Sequence, residues 1–123
     1  MANISSKATE HFESTQLLFQ HGRYRDAVSR AYYAMYTAVE DYVGLSTTGT
    51  WNHRGIRGAF AVKMISDGVA PQQARELGRK LFDAFNARNG ADYSRNPIDE
   101  DAAKQILGYA QEILDWIQKG VNP

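Results

Sequence analysis

Apolar residues recur every three or four positions along almost the whole chain, which is the spacing of one buried face of a helix. Ile4, Ala8, Phe12, Thr15 and Leu18/Phe19 make a first stripe, ending at Gly22. A second helix is expected from about Tyr24 to Val43, stopped by Gly44 and followed by the loop LSTTGT. Asn52 is a good N-cap for a third helix, and Trp51 and Ile56 occupy the two positions of a hydrophobic staple. That helix carries Ile56, Ala59, Phe60 and Met64 before breaking at Asp67-Gly68. Pro71 suits the first turn of a fourth helix, where its missing N–H costs nothing. This helix runs through Leu77, Leu81 and Phe85 to an expected stop at Gly90, and Pro97 marks a further break. Asp99, Glu100 and Asp101 favour the positive N-terminus of a fifth helix with the stripe Ala103, Ile106, Ala110, Ile113 and Ile117. With no alternating strand pattern, repeat or low-complexity linker, the expectation is an all-α bundle forming one domain over residues 1–123.

Composition narrows the classes. The 123 residues are 43% hydrophobic and 23% charged, and 14 basic residues balance 14 acidic ones. Bulk charge therefore makes no case for nucleic acid or membrane. The middle is less even: residues 51–95 hold eight basic and four acidic residues, either solvated helix faces or a shallow anion-binding surface. Zero cysteines excludes disulfides, thiolate metal sites and cysteine nucleophiles, and fits a reducing cytoplasm. The opening MANISSKATEHFE lacks the apolar centre of a signal peptide, and nothing approaches the roughly 18 apolar residues of a membrane span.

Two helices have unusual content. In the second, Ala27, Ala31, Ala34 and Ala38 form a seam of small side chains that lets another helix approach closely. Tyr32, Tyr33, Tyr36 and Tyr42 surround it, as an aromatic core or as a dimer face. In the fourth, the stripe Leu77, Leu81, Ala84/Phe85 reaches Arg88 at its next turn. An arginine pointing at the core needs acceptors, and Asp92 supplies them if the helix continues that far. Arg30, between Ala27 and Ala34, poses the same question. Arg88 is then either half of an ion pair that pins the bundle or a ligand-binding or catalytic group.

Several enzyme classes drop out. His11, His21 and His53 lack the spacing of a helical zinc pair, no glycine-rich loop joins a strand to a helix, and no serine sits in a nucleophile elbow. No metal or other cofactor is expected. His53, at a helix start, reads first as a surface or capping histidine.

Three stretches together carry a resemblance. GRYRDAVSRAYYAMYTAV (22–39) resembles the second helix of small HEPN-domain proteins, with their Gly-x-Tyr-x-x-Ala-Val-Ser-Arg-Ala-Tyr-Tyr-Ala-Met pattern. NHRG (52–55) is similar to the family's His-x-Gly, and LFDAFNARNGADY (81–93) to its Leu-x-x-x-Arg-x-x-Ala-Asp-Tyr element. The resemblance implies an up-and-down bundle of four or five helices, usually a homodimer. It also implies a ribonuclease or a toxin paired with an MNT-type nucleotidyltransferase. Active members carry arginine, four to six residues, then histidine, and need no metal. Their histidine moves protons at the 2′-hydroxyl and the leaving oxygen while arginine stabilises the phosphorane.

This chain departs from that motif. Counting on from Arg88, the histidine would fall at Tyr93, Ser94 or Arg95. The candidate catalytic set is therefore Arg88, Asn89, Asp92 and Tyr93, with His53 as a remote substitute base. Arg30, His53, Arg88 and Arg95 are the candidate contacts to RNA or a nucleotide. Three functions compete: an RNA- or nucleotide-binding component of a toxin–antitoxin-like pair with a nucleotidyltransferase, a metal-independent ribonuclease toxin, and a non-catalytic dimerisation module. The resemblance further points to Tyr93 as the residue a partner would adenylylate.

Overall fold

Helix α2, Tyr24–Val43, is the axis about which the fold is arranged, in a computed structural model that describes residues 4–119. It touches all four other helices: α1 (Ser6–Gln20), α3 (His53–Ser66), α4 (Pro71–Tyr93) and α5 (Glu100–Lys119). The described residues contain helices and no strand. Sequence explains the central place of α2. The alanine seam at 27, 31, 34 and 38 lies at 2% exposure or less, so neighbouring backbones come close on that side. Val28, Met35 and Val39 fill a second face just as completely, so α2 is covered on two sides.

The other helices bury one stripe each, as their periodicity requires: Ala8, Phe12 and Thr15 in α1, Ile56, Phe60 and Met64 in α3, Ile106, Ile113 and Ile117 in α5. Caps set their ends. The Ser5 side chain accepts from Ala8 N–H at 3.2 Å, and Asn52 Oδ1 accepts from Gly55 N–H at 2.6 Å, the N-cap expected of it. Gly22, at φ 74°, turns the chain tightly from α1 into α2. Tyr42, Phe60 and Trp116 stack edge to face at 5.3–6.1 Å beneath α3. The Tyr42 hydroxyl reaches Asp67, the C-cap of α3, at 2.6 Å. No helix among the described residues is long and apolar enough to cross a membrane.

Two expectations are corrected here. Gly90 does not end α4, which continues to Tyr93 with Ala91 buried. The cause lies in α2, where the Arg25 guanidinium donates to the carbonyls of Ala91, Ser94 (2.8 Å) and Asn96 (2.6 Å). An arginine from elsewhere in the chain thus satisfies the open Ala91 carbonyl of the last turn and holds the cap and the segment after it. Arg30 does not share the buried face of Ala27 and Ala34: it is exposed. The seam runs 27, 31, 34, 38, and position 30 is turned about 100° from position 31, toward solvent.

Candidate functional site

Arg88 does point inward, and α4 continues far enough to pair it. Its Nη1 donates to Asp92 Oδ2 at 3.2 Å and to the Tyr33 hydroxyl at 3.3 Å, and its Nη2 to Asn89 Oδ1 at 3.1 Å. The guanidinium carbon lies 5.4 Å from the Tyr32 ring centre and 5.6 Å from those of Tyr33 and Phe85. Ser29 of α2 donates to the other Asp92 oxygen, so Asp92 is held from both helices. Unlike a fully buried pair, the two side chains keep 17% and 31% exposure.

His53 comes to the same place from the start of α3. Its ring stacks on Phe85 at 3.8 Å with planes 7° apart, and its Nδ1 lies 3.2 Å from the Tyr32 hydroxyl. His53 is therefore a half-buried member of the site rather than a surface cap. Burial, then the nearby Arg57 and Arg88 charges, lower its pKa below 6.5 and favour the neutral ring at pH 7. Burial raises the pKa of the Tyr32 hydroxyl against the opposing pull of Arg88, which keeps it a proton donor. Two buried polar atoms lack a hydrogen-bond partner among the described residues, and they belong to these two side chains: His53 Nε2 and Arg88 Nε.

A pocket of about 360 Å³ opens here. Arg88, His53, Phe85, Tyr32 and Tyr33 line it together with His11 and Lys7 of α1 and with Tyr36 and Trp51. It combines aromatic faces with cationic or protonatable nitrogens, which suits a ligand having a flat ring and an anionic group. His11 also has a lowered pKa, from burial and then from Arg30 and Lys7. Arg30 thus reaches the rim indirectly, through Nη1 at 3.3 Å from His11 Nδ1. Among the described residues no group of three or more histidines and carboxylates is placed to hold a metal ion.

The expected site residues separate in space. Arg88 and His53 meet in the pocket wall, while Asn89 and Asp92 act one step back, as acceptors for Arg88. Tyr93 is 79% exposed and Arg95 is exposed, and neither lines the pocket. Lys7, His11, Tyr32, Tyr33 and the positioning residues Arg25 and Ser29 escaped the sequence reading as site residues. A signal existed for some: Lys7 and His11 are four apart, as are Arg25 and Ser29, and each pair shares a helix face.

Comparison with known proteins agrees with this architecture. The family model described as "HEPN domain" matches residues 2–120. A Methanocaldococcus jannaschii protein named "Putative toxin" is 28% identical over 115 residues, covering 94% of this chain and 84% of its own. A second from the same organism with that designation is 27% identical over 124 residues, covering 97% and 80%. A Thermotoga maritima protein named only "UPF0332 protein" is 27% identical over 114 residues, covering 92% and 84%. With five helices about a central α2 and a family match across nearly its whole length, the chain belongs to the HEPN-domain family.

Proposed function

We propose that this HEPN protein is a toxin-like component that binds RNA or a nucleotide at Arg88 and works with a nucleotidyltransferase partner. One observation carries the binding reading. Arg88 and His53 each present a buried, unpartnered nitrogen in the wall of an aromatic-lined pocket, and buried polar groups in folded proteins are almost always satisfied. A phosphate reaching Arg88 and a polar edge of the nucleotide reaching His53 Nε2, with the base on a neighbouring ring, would give both nitrogens partners. The names of the Methanocaldococcus relatives support the toxin-like reading, the family resemblance supports the partner and a homodimer, and the lack of cysteines fits the cytoplasm. Purified protein is titrated with single-stranded RNA and with nucleotides, wild type beside Arg88→Ala. Wild-type binding that falls at least about tenfold in the variant supports the reading. If wild type binds neither, or Arg88→Ala binds equally well, the reading is wrong.

A second reading, a metal-independent ribonuclease, is favoured by the neutral His53 in the pocket that holds Arg88. With Nδ1–H donating to the Tyr32 oxygen, the His53 Nε2 lone pair takes the 2′-hydroxyl proton as that oxygen attacks phosphorus; the bond to the 5′-oxygen breaks and the imidazolium returns the proton to it. Arg88 offsets the charge gathered on the phosphorane. Here the exposed Tyr93 has no part, and His53 replaces it. RNA cleavage lost in both Arg88→Ala and His53→Asn, yet retained in Tyr93→Phe, would establish this chemistry. Cleavage that survives Arg88→Ala would point to a contaminant.

A further inference from the structure

A second concavity, of about 670 Å³, lies between α3 and α4, where the proposed RNA or nucleotide site has no part. Helix α3 packs on α2 and α4 only, so its outer flank has no helical neighbour among the described residues. That flank contributes Ala61 and Ile65 to the groove, and α4 contributes Ala74, Gly78 and Phe82. Ile65 is 52% exposed, and Val62, one position from Ala61, is 70% exposed.

Gly78 is the informative residue. It sits in the middle of α4, where glycine lowers helix stability relative to alanine. A Cβ placed there meets nothing within 4 Å, so packing inside the chain does not call for glycine. On the α3 wall the facing residue is the small Ala61. Small residues on both walls leave room for something that approaches from outside.

The rim carries charge of a preferred sign. Arg57, Arg75 and Arg79 line the groove against Glu76 and Asp83. Arg79 pairs with Asp83 at 3.9 Å, while Arg57, Arg75 and Glu76 form no ion pair among the described residues, which leaves two unpaired cations against one carboxylate. Arg57 instead lies over the Phe82 ring at 4.4 Å. Phe82 is the one aromatic ring in the groove, and Arg57 lies over it in the place where a base would stack. What remains is an aliphatic strip between two helices, flanked by the Arg75 guanidinium, by Arg57 over Phe82 and by the single unpaired carboxylate of Glu76.

We propose that the α3–α4 groove is a docking surface for an acidic amphipathic helix of a partner protein. Such a helix lays its apolar face on Ala61 and Ile65 above the recessed Ala74 and Gly78 and sets carboxylates against Arg57 and Arg75.

The probe is a labelled, alanine-rich amphipathic peptide of about 16 residues, roughly 24 Å long as a helix, with leucines on one face and glutamates on its flanks. Wild type is expected to bind it, more weakly as salt rises. Gly78→Leu, which fills open space, and Arg75→Glu, which reverses the rim, are each expected to weaken binding at least about tenfold. Gly78→Leu should melt no lower than wild type, and Arg88→Ala should bind the peptide unchanged, so failure of the RNA reading leaves this result separate. Four outcomes overturn the proposal: no binding by wild type, equal binding of a lysine-flanked peptide, full affinity in Gly78→Leu, or displacement of the peptide by RNA. Self-association of wild type that Gly78→Leu abolishes also overturns it, because the occupant would then be a second copy.

Discussion

Arg88 spends its hydrogen-bonding capacity unevenly. Both terminal nitrogens are bound within two turns of α4 and to Tyr33, while Nε stays buried and unpartnered. Since the pair with Asp92 keeps partial exposure, losing it should cost less than the several kcal/mol of a fully buried pair. Arg88→Ala should lower unfolding free energy by about 2 kcal/mol in urea titration, the scale of a few charge-assisted hydrogen bonds. Arg88→Lys keeps the charge but not the planar fork, so it should lose ligand affinity while recovering part of the stability. If Arg88→Ala leaves the urea midpoint unchanged, the pair contributes nothing to the fold. The periodicity of α4 placed Arg88 toward the core from sequence alone. His53 was named as a candidate base and contact, but its half-buried stack was hidden, because its partner Phe85 lies 32 residues away and meets it only when α3 docks on α4.

At the scale of the element, α4 shows how a local signal is overridden. Gly90 and Pro97 read as punctuation, yet Gly90 has a helical neighbour on either side, and a Cβ there would meet nothing within 4 Å. Gly90→Ala should therefore raise unfolding free energy by about 0.5–1 kcal/mol, visible as a higher melting temperature. A lower melting temperature would mean that the last turn of α4 needs glycine for a reason its packing does not show. Helix starts were more legible than helix ends: Asn52 caps α3 through a bond to Gly55 three residues on, which a local pattern can reveal. The end of α4 is set by Arg25, 66 to 71 residues earlier in the chain, which no local pattern encodes. Arg30 was misplaced for a local reason instead, since one residue of drift along a helix moves a side chain from seam to solvent.

For the whole molecule, burial of two histidines makes stability depend on pH in a definite direction. His11 and His53 have folded pKa values below 6.5, chiefly because burial penalises the charged ring. As pH falls through 6.5 the unfolded chain takes up protons that the folded one refuses, so stability falls until the lower folded values are passed. Above about 6.5 both states hold these rings neutral, and their contribution is fully present. Urea midpoints measured from pH 7.5 to 5 should therefore decline on the acid side, and His53→Gln should flatten part of that decline. An unchanged slope in that variant would show that His53 titrates alike in the folded and unfolded chain. The five helices were legible because each must bury a stripe, whatever its neighbours. The pocket was not, because Lys7, His11, Tyr32, His53 and Arg88 come from four helices and share no local pattern.

The Arg25 bonds also bear on how fast the structure forms and falls apart. They join the start of α2 to the last turn of α4 and the chain just beyond it across about seventy residues, the kind of contact whose loop-closure cost delays it in folding. Interactions formed after the rate-limiting step act on the unfolding rate and leave the folding rate nearly untouched. In stopped-flow measurements Arg25→Ala should accordingly steepen the loss of native protein with time while refolding proceeds at the wild-type pace. The segment carrying Arg88 and Asp92 would then be the first part of the bundle to let go, so Arg25 sets the lifetime of the site as well as its shape.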